Sequence, residues 1–172
     1  MNNKNNFLES PLFVKIKETI KITADKEFFL LITNHFISNS YLSVSSNLLD
    51  YFNILLKENI VDKGDISDIY LNELNKLKDL HDDNTPDPTV TKIDDIDFVL
   101  KGSLLFEKIV DIMVKTHDIE FFNLITNYLL DTGTLNETTN LCFYFGELGI
   151  RKLITHEDVG KWYLQSIHID AN

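Results

Sequence analysis

One cysteine, one tryptophan, three prolines and six glycines are all that 172 residues contain of those four types. A single thiol, Cys142, allows no internal disulfide and no cysteine-built zinc site, which fits a reducing compartment. No apolar run approaches the roughly 18 residues of a membrane span, and the opening Met1-Asn2-Asn3-Lys4-Asn5-Asn6 leads into no signal-peptide core. There is no glycine-rich phosphate loop, no His-Glu-x-x-His helix and no nucleophile elbow, and Asp62-Lys63-Gly64-Asp65 has too few oxygens at EF-hand spacing. No catalytic residue, metal ligand or cofactor site stands out. The expectation is a cytoplasmic protein that is not an enzyme.

Basic residues are also scarce, 16 against 27 acids, for a formal charge of −11. The deficit is spread, with −3 over residues 10–74, −3 over 75–102 and −4 over 103–167. Such a field disfavours nucleic acid and anionic membrane as ligands and favours a partner with a basic surface.

What the chain does have is a repeat. Glu27-Phe28-Phe29-Leu30-Leu31-Ile32-Thr33-Asn34 returns as Glu120-Phe121-Phe122-Asn123-Leu124-Ile125-Thr126-Asn127, 93 residues later. The register runs without a gap from Ser10–Leu74 to Ser103–Ile167 and holds 23 identities in 65 pairs. Chance would give on the order of one match in fifteen, so the sequence reads as an internal duplication.

Each copy predicts four helices. In the first, Ser10 caps a helix opened by Pro11, with Leu12, Phe13, Ile16 and Ile20 on one face. Asp25 caps a second, apolar helix that forms the likeliest centre on hydropathy alone. A third begins near residues 43–46, and Asp65, after a chain-reversing Gly64, caps a fourth. The second copy repeats these at about 103–116, 118–131, 136–151 and 156–168. The expected organisation is a frayed N-terminus over 1–9, helical repeats over 10–74 and 103–167, an acidic Pro-containing linker over 75–102, and a tail over 168–172. The fold class is all-α, a tandem four-helix repeat of about 65 residues, as a pseudo-twofold bundle or a short α-solenoid.

Positions retained in both copies are mostly apolar, including Phe28/Phe121, Ile32/Ile125, Tyr51/Tyr144, Phe52/Phe145, Tyr70/Tyr163 and Leu71/Leu164, and read as core. Among retained polar pairs, Asp25/Asp118 and Asp65/Asp158 read as N-caps, and Asn34/Asn127 and Asn47/Asn140 as buried amides that bridge helices or, as the alternative, line a ligand groove. Cys142, opposite Leu49, reads as a small buried hydrophobe. The copies differ where Gly146 and Gly149 replace Asn53 and Leu56, suggesting an early helix end or a close backbone approach. They also differ where Phe143 replaces Asp50 and Trp162 replaces Ile69, so Phe143 is expected to face a partner or the other repeat.

Phe121–Ile150, with Leu124, Ile125, Tyr128, Gly133, Leu135, Glu137 and Gly149, resembles one tetratricopeptide or pentatricopeptide hairpin over about thirty residues. The resemblance implies stacked helical hairpins, and the acidity disfavours the RNA binding that some such proteins show. His81-Asp82 and His117-Asp118, with His35 upstream, resemble the His-Asp ligands of all-helical metal-dependent phosphohydrolases, which would imply a hydrolase using His35, His81 and Asp82. The leading expectation is instead a protein-binding module, an adaptor or a small acidic inhibitor or immunity-type protein, that contacts a basic partner surface through Asp79, Asp82, Asp83 and Asp87 and through an apolar patch at Phe143 and Trp162. A homodimer of the duplicated faces is the architectural alternative.

Overall fold

The computed structural model describes residues 4–79, 103–136 and 140–161, and the chain divides into two compact units, Met1–Asp94 and Asp95–Asn172. The protein is all-α, with no strand among the described residues. Unit one contains a short 3-10 helix (Lys4–Glu9) and helices α1 (Pro11–Thr23), α2 (Lys26–Ser38), α3 (Leu48–Lys57) and α4 (Lys63–Asp79). Unit two contains α5 (Leu104–Thr116), α6 (Ile119–Asp131) and α7 (Leu141–Ile150), followed by α8, described over 156–161.

Local chemistry sets these boundaries. Ser10 Oγ accepts the Phe13 amide at 3.1 Å, and Ser103 Oγ accepts the Phe106 amide at 3.1 Å. Asp25 and Asp118 accept the amides of Phe28 and Phe121, each at 3.0 Å. Both are the N-caps that their side chains lead one to expect. Between each pair of helices the chain reverses through one left-handed residue, Ala24 at φ 51° and His117 at φ 50°, which closes the helix before it. Thr23 and Thr116 assist, each donating its hydroxyl at 2.8 Å to the carbonyl four residues back.

Asp65 and Asp158 are not N-caps. Helix α4 already includes Lys63 and Gly64, and Asp62 caps it; the Asp62 amide donates to Asp65 Oδ2 and the Asp65 amide to Asp62 Oδ1, both at 2.9 Å. Thr155 and Asp158 repeat the exchange at 2.8 and 3.1 Å. Each aspartate is therefore the third residue of a capping box. The Lys26 ammonium lies 3.3 Å from Asp62 and 3.0 Å from Asp65, and these two carboxylates, Asp65 first, hold its pKa above the usual lysine value.

In unit one α2 packs against α1 and α4, and its Phe28, Phe29, Ile32 and Phe36 are fully buried. Phe121, Phe122, Ile125 and Leu129 of α6 are the fully buried residues at the same registers of unit two. Where fraying is expected, Lys4–Glu9 instead buries Phe7, whose ring centroid lies 4.6 Å from that of Phe36. Helix α4 continues past Leu74 to Asp79, into the expected linker.

Several expected core positions face outward. Asn34 and Asn127 are exposed, because they stand two residues, about 200° of helix, from Ile32 and Ile125 at the buried centre. Cys142 is exposed, as is Leu49 at the same register, since both lie beside rather than on the buried face of their helix. Gly146 and Gly149 neither end α7 nor admit a neighbouring backbone: the helix runs through both to Ile150, and a Cβ at either would meet nothing within 4 Å.

Candidate partner-binding grooves

Helices α3 and α7 are held in place by polar groups that both units share. Asn47 Nδ2 donates to the Tyr41 carbonyl at 2.9 Å, and its Oδ1 accepts the Ser43 amide at 3.1 Å. Asn140 does the same with Thr134 at 2.9 Å and Asn136 at 2.7 Å. These amides bind the loop before their own helix instead of bridging two helices. Farther along, the buried hydroxyls of Tyr51 and Thr33 share a hydrogen bond of 2.8 Å, and those of Tyr144 and Thr126 another of 2.8 Å. Burial pushes both tyrosines well above the ordinary phenol pKa, with the threonine hydrogen bond pulling weakly the other way. The pairing went unread in the sequence, although retention of all four residues was a signal for it.

So anchored, α3 stands beside the capped start of α4 and leaves an apolar groove of about 450 Å³. Leu49, Phe52, Leu56, Ile66, Tyr70 and Leu71 line it, and Lys63 is its one charged residue. Leu49 and Leu71 are each 56% exposed. Tyr70 and Leu71, expected in the core because both copies keep them, are thus half-buried and exposed groove residues. Unit two has an opening of about 630 Å³ at the same register, between α7 and the start of α8. Phe145, Ile150, Ile154 and Val159 supply its apolar lining, Gly146 and Gly149 its floor, and Lys152 and His156 its basic side chains. Phe145, His156 and Val159 occupy the registers of Phe52, Lys63 and Ile66.

The residues singled out from the sequence are scattered. Phe143 is half-buried in its own unit, its ring 5.9 Å from that of Phe106. At the same register Asp50 is exposed, and in unit one Phe13, the counterpart of Phe106, lies 5.9 Å from the Lys17 ammonium instead. Asp79 belongs to the last turn of α4, while Asp82, Asp83, Asp87 and Trp162 lie outside the described residues. Ile69, at the register of Trp162, is 4% exposed.

The histidines do not converge. His35 sits in the last turn of α2 with Asn39 Nδ2 3.3 Å from its Nδ1, and burial lowers its pKa below the usual value. His117 is the exposed left-handed residue between α5 and α6, and His81 lies outside the described residues. No group of three His, Cys, Asp or Glu side chains that could hold a metal ion occurs among the described residues. No described helix is long and apolar enough to cross a membrane. No protein-family model, curated protein or solved structure matches the chain.

Proposed function

We propose that the protein is a protein-binding module, an adaptor or small acidic inhibitor, built by tandem duplication of a four-helix repeat and binding through the grooves beside α3 and α7. One observation carries this reading: Leu71 is 56% exposed in a groove, yet leucine stands at that register in both copies. A core leucine is kept by packing; an exposed one gains no such support from the fold. The shared caps, asparagine clamps and Thr–Tyr pairs support the duplication, since they place the same devices at the same offsets in each unit. Outside the grooves, the charge of −11 suits a partner whose surface is largely basic, with Asp79, Asp82, Asp83 and Asp87 as candidate contacts.

The test is cross-linked capture from the protein's own cell or host extract, at low and at raised salt, with the wild-type chain and with Leu49→Asp/Leu71→Asp. Both substitutions are on exposed side chains, so the fold should survive them, which circular dichroism checks. The proposal expects a stoichiometric protein that the double variant loses and that raised salt weakens. Equal capture by both chains, or none by either, sinks it. Retention by a chain with the four aspartates changed to asparagine removes them alone from the interface.

A further inference from the structure

We infer that each groove docks an amphipathic helix of a partner protein, one that carries an acidic side chain beside its apolar stripe. The inference rests on the grooves being binding surfaces and adds the chemistry of what they bind. Acids outnumber bases 27 to 16 in this chain, yet no Asp or Glu lines either groove, while Lys63, Lys152 and His156 do. Lys63 in unit one and His156 in unit two hold the same register, and Lys152 supplies the ammonium of unit two.

These side chains are also unengaged among the described residues. Among the described residues the side chains of Lys63, Lys152 and His156 make no ion pair or hydrogen bond, so no carboxylate of this chain occupies them there. An ammonium left unpaired at the edge of an apolar trough, in a chain with acids to spare, is complementary to an incoming carboxylate and fixes the register in which a helix lies. The dimensions agree with a helix. Helices α3 and α7 have 10 residues each, so either groove wall is about 15 Å long, room for two to three turns of a docked helix.

The two grooves differ in what apolar side chain they take. Where unit one lines its groove with Asn53 and Leu56, unit two has Gly146 and Gly149, which leave that part of its lining without side chains. Unit two therefore takes the bulkier anchor, an aromatic residue, and unit one an aliphatic one.

The experiment is selection on the full chain from a phage-displayed library of amphipathic helices about four turns long. The apolar stripe is drawn from Leu, Ile, Met, Phe and Trp, and the flanks equally from Asp, Glu, Lys, Arg and Ser. The expected winners carry acids on one flank. Those that bind unit one weaken roughly tenfold or more against Lys63→Glu, and those that bind unit two weaken as much against Lys152→Glu/His156→Glu or Gly149→Leu. Thermal melts confirm that each variant folds, and the exposed charge reversals stand as the test if Gly149→Leu does not. Bases enriched as often as acids, winners indifferent to these variants, or no enrichment of any helix would overturn the inference. So would a dimer in mass measurements that the winners dissociate, because the groove would then belong to a second copy. Basic winners alongside a cell protein lost on Leu49→Asp/Leu71→Asp would refute the acidic helix and leave the docking surface standing.

Discussion

Thr33 and Tyr51 come from different helices and are both fully buried, and among the described residues each hydroxyl has only the other as partner, at 2.8 Å. The two single deletions should not cost the same. Thr33→Val keeps the shape but strands the Tyr51 hydroxyl in the core, an orphaned polar group worth about 2–3 kcal/mol. Tyr51→Phe leaves a threonine on a helix, which can turn its hydroxyl to the carbonyl four residues back, as Thr19 and Thr23 already do at 2.8 Å. Its cost should be only about 1 kcal/mol. The double variant removes both polar groups together, and about 1–1.5 kcal/mol is expected, leaving a coupling of roughly 1.5–3 kcal/mol. A chain with two compact units need not melt in one step, so the measurement is amide hydrogen exchange at Phe29 and Phe52. Thr126 and Tyr144 provide the same experiment in unit two, read at Phe122 and Phe145. Additive single costs, or a larger loss from Tyr51→Phe than from Thr33→Val, would refute the reasoning.

Gly146→Ala and Gly149→Ala should each stabilise α7 by about 1 kcal/mol, since the added methyl meets nothing within 4 Å; a loss of stability in exchange or melting would show a contact at that floor. His117→Gly should stabilise unit two by about 0.5–1 kcal/mol by relieving a side chain held at φ 50°, whereas Gly133→Ala, at φ 74°, should destabilise it by a similar amount; the melts of the two variants must move in opposite directions. At alkaline pH the folded chain keeps the Tyr51 and Tyr144 protons that the unfolded chain begins to release near pH 10. Their contribution is complete below that pH and falls above it by about 1.4 kcal/mol per pH unit for each tyrosine. Urea titrations across this range should show a shallower decline for Tyr51→Phe/Tyr144→Phe, and an unchanged slope would mean the tyrosines are not the groups that titrate.

The helices and half of their caps were legible because those signals are local. Ser10, Ser103, Asp25 and Asp118 each bond an amide three residues on, within one turn. Asp65 and Asp158 were misplaced by the same three residues: Asp62-x-x-Asp65 and Thr155-x-x-Asp158 carry capping-box spacing, but Gly64 drew attention to itself as a turn. The Thr33–Tyr51 contact spans 18 residues and depends on how two helices meet, which no window along the chain contains. Retention in both copies marked both residues without pairing them. The same retention misled at Leu71 and Asn34, because the two stretches agree at exposed positions as well as at packed ones. Burial separates those cases, and burial follows from the angle of each residue around its helix relative to neighbours that the sequence does not place.

The pattern of divergence between the units follows from what each substitution would leave unsatisfied. The Thr–Tyr pairs and the asparagine clamps are unchanged, since losing one partner strands a buried group. Surface pairs turn over freely: Lys17 and Glu58 form an ion pair in unit one, while Val110 and Arg151 stand at those registers in unit two, with Val110 buried and the Phe143 ring set against Phe106. Lys26, clamped between Asp62 and Asp65, gives way to Ile119 at its register, with Thr155 and Asp158 at the registers of the two aspartates. Gly146 and Gly149 fit neither rule. They sit inside a 10-residue helix, each costing about 1 kcal/mol relative to alanine, and nothing packed above them requires the missing side chain. A helix that gives up stability twice, both times at the floor of the same cavity, breaks a local preference with no offsetting contact among the described residues. Under the proposed partner-binding reading, the offset comes from the partner side chain that enters this cavity, at the registers where Asn53 and Leu56 line the groove of unit one.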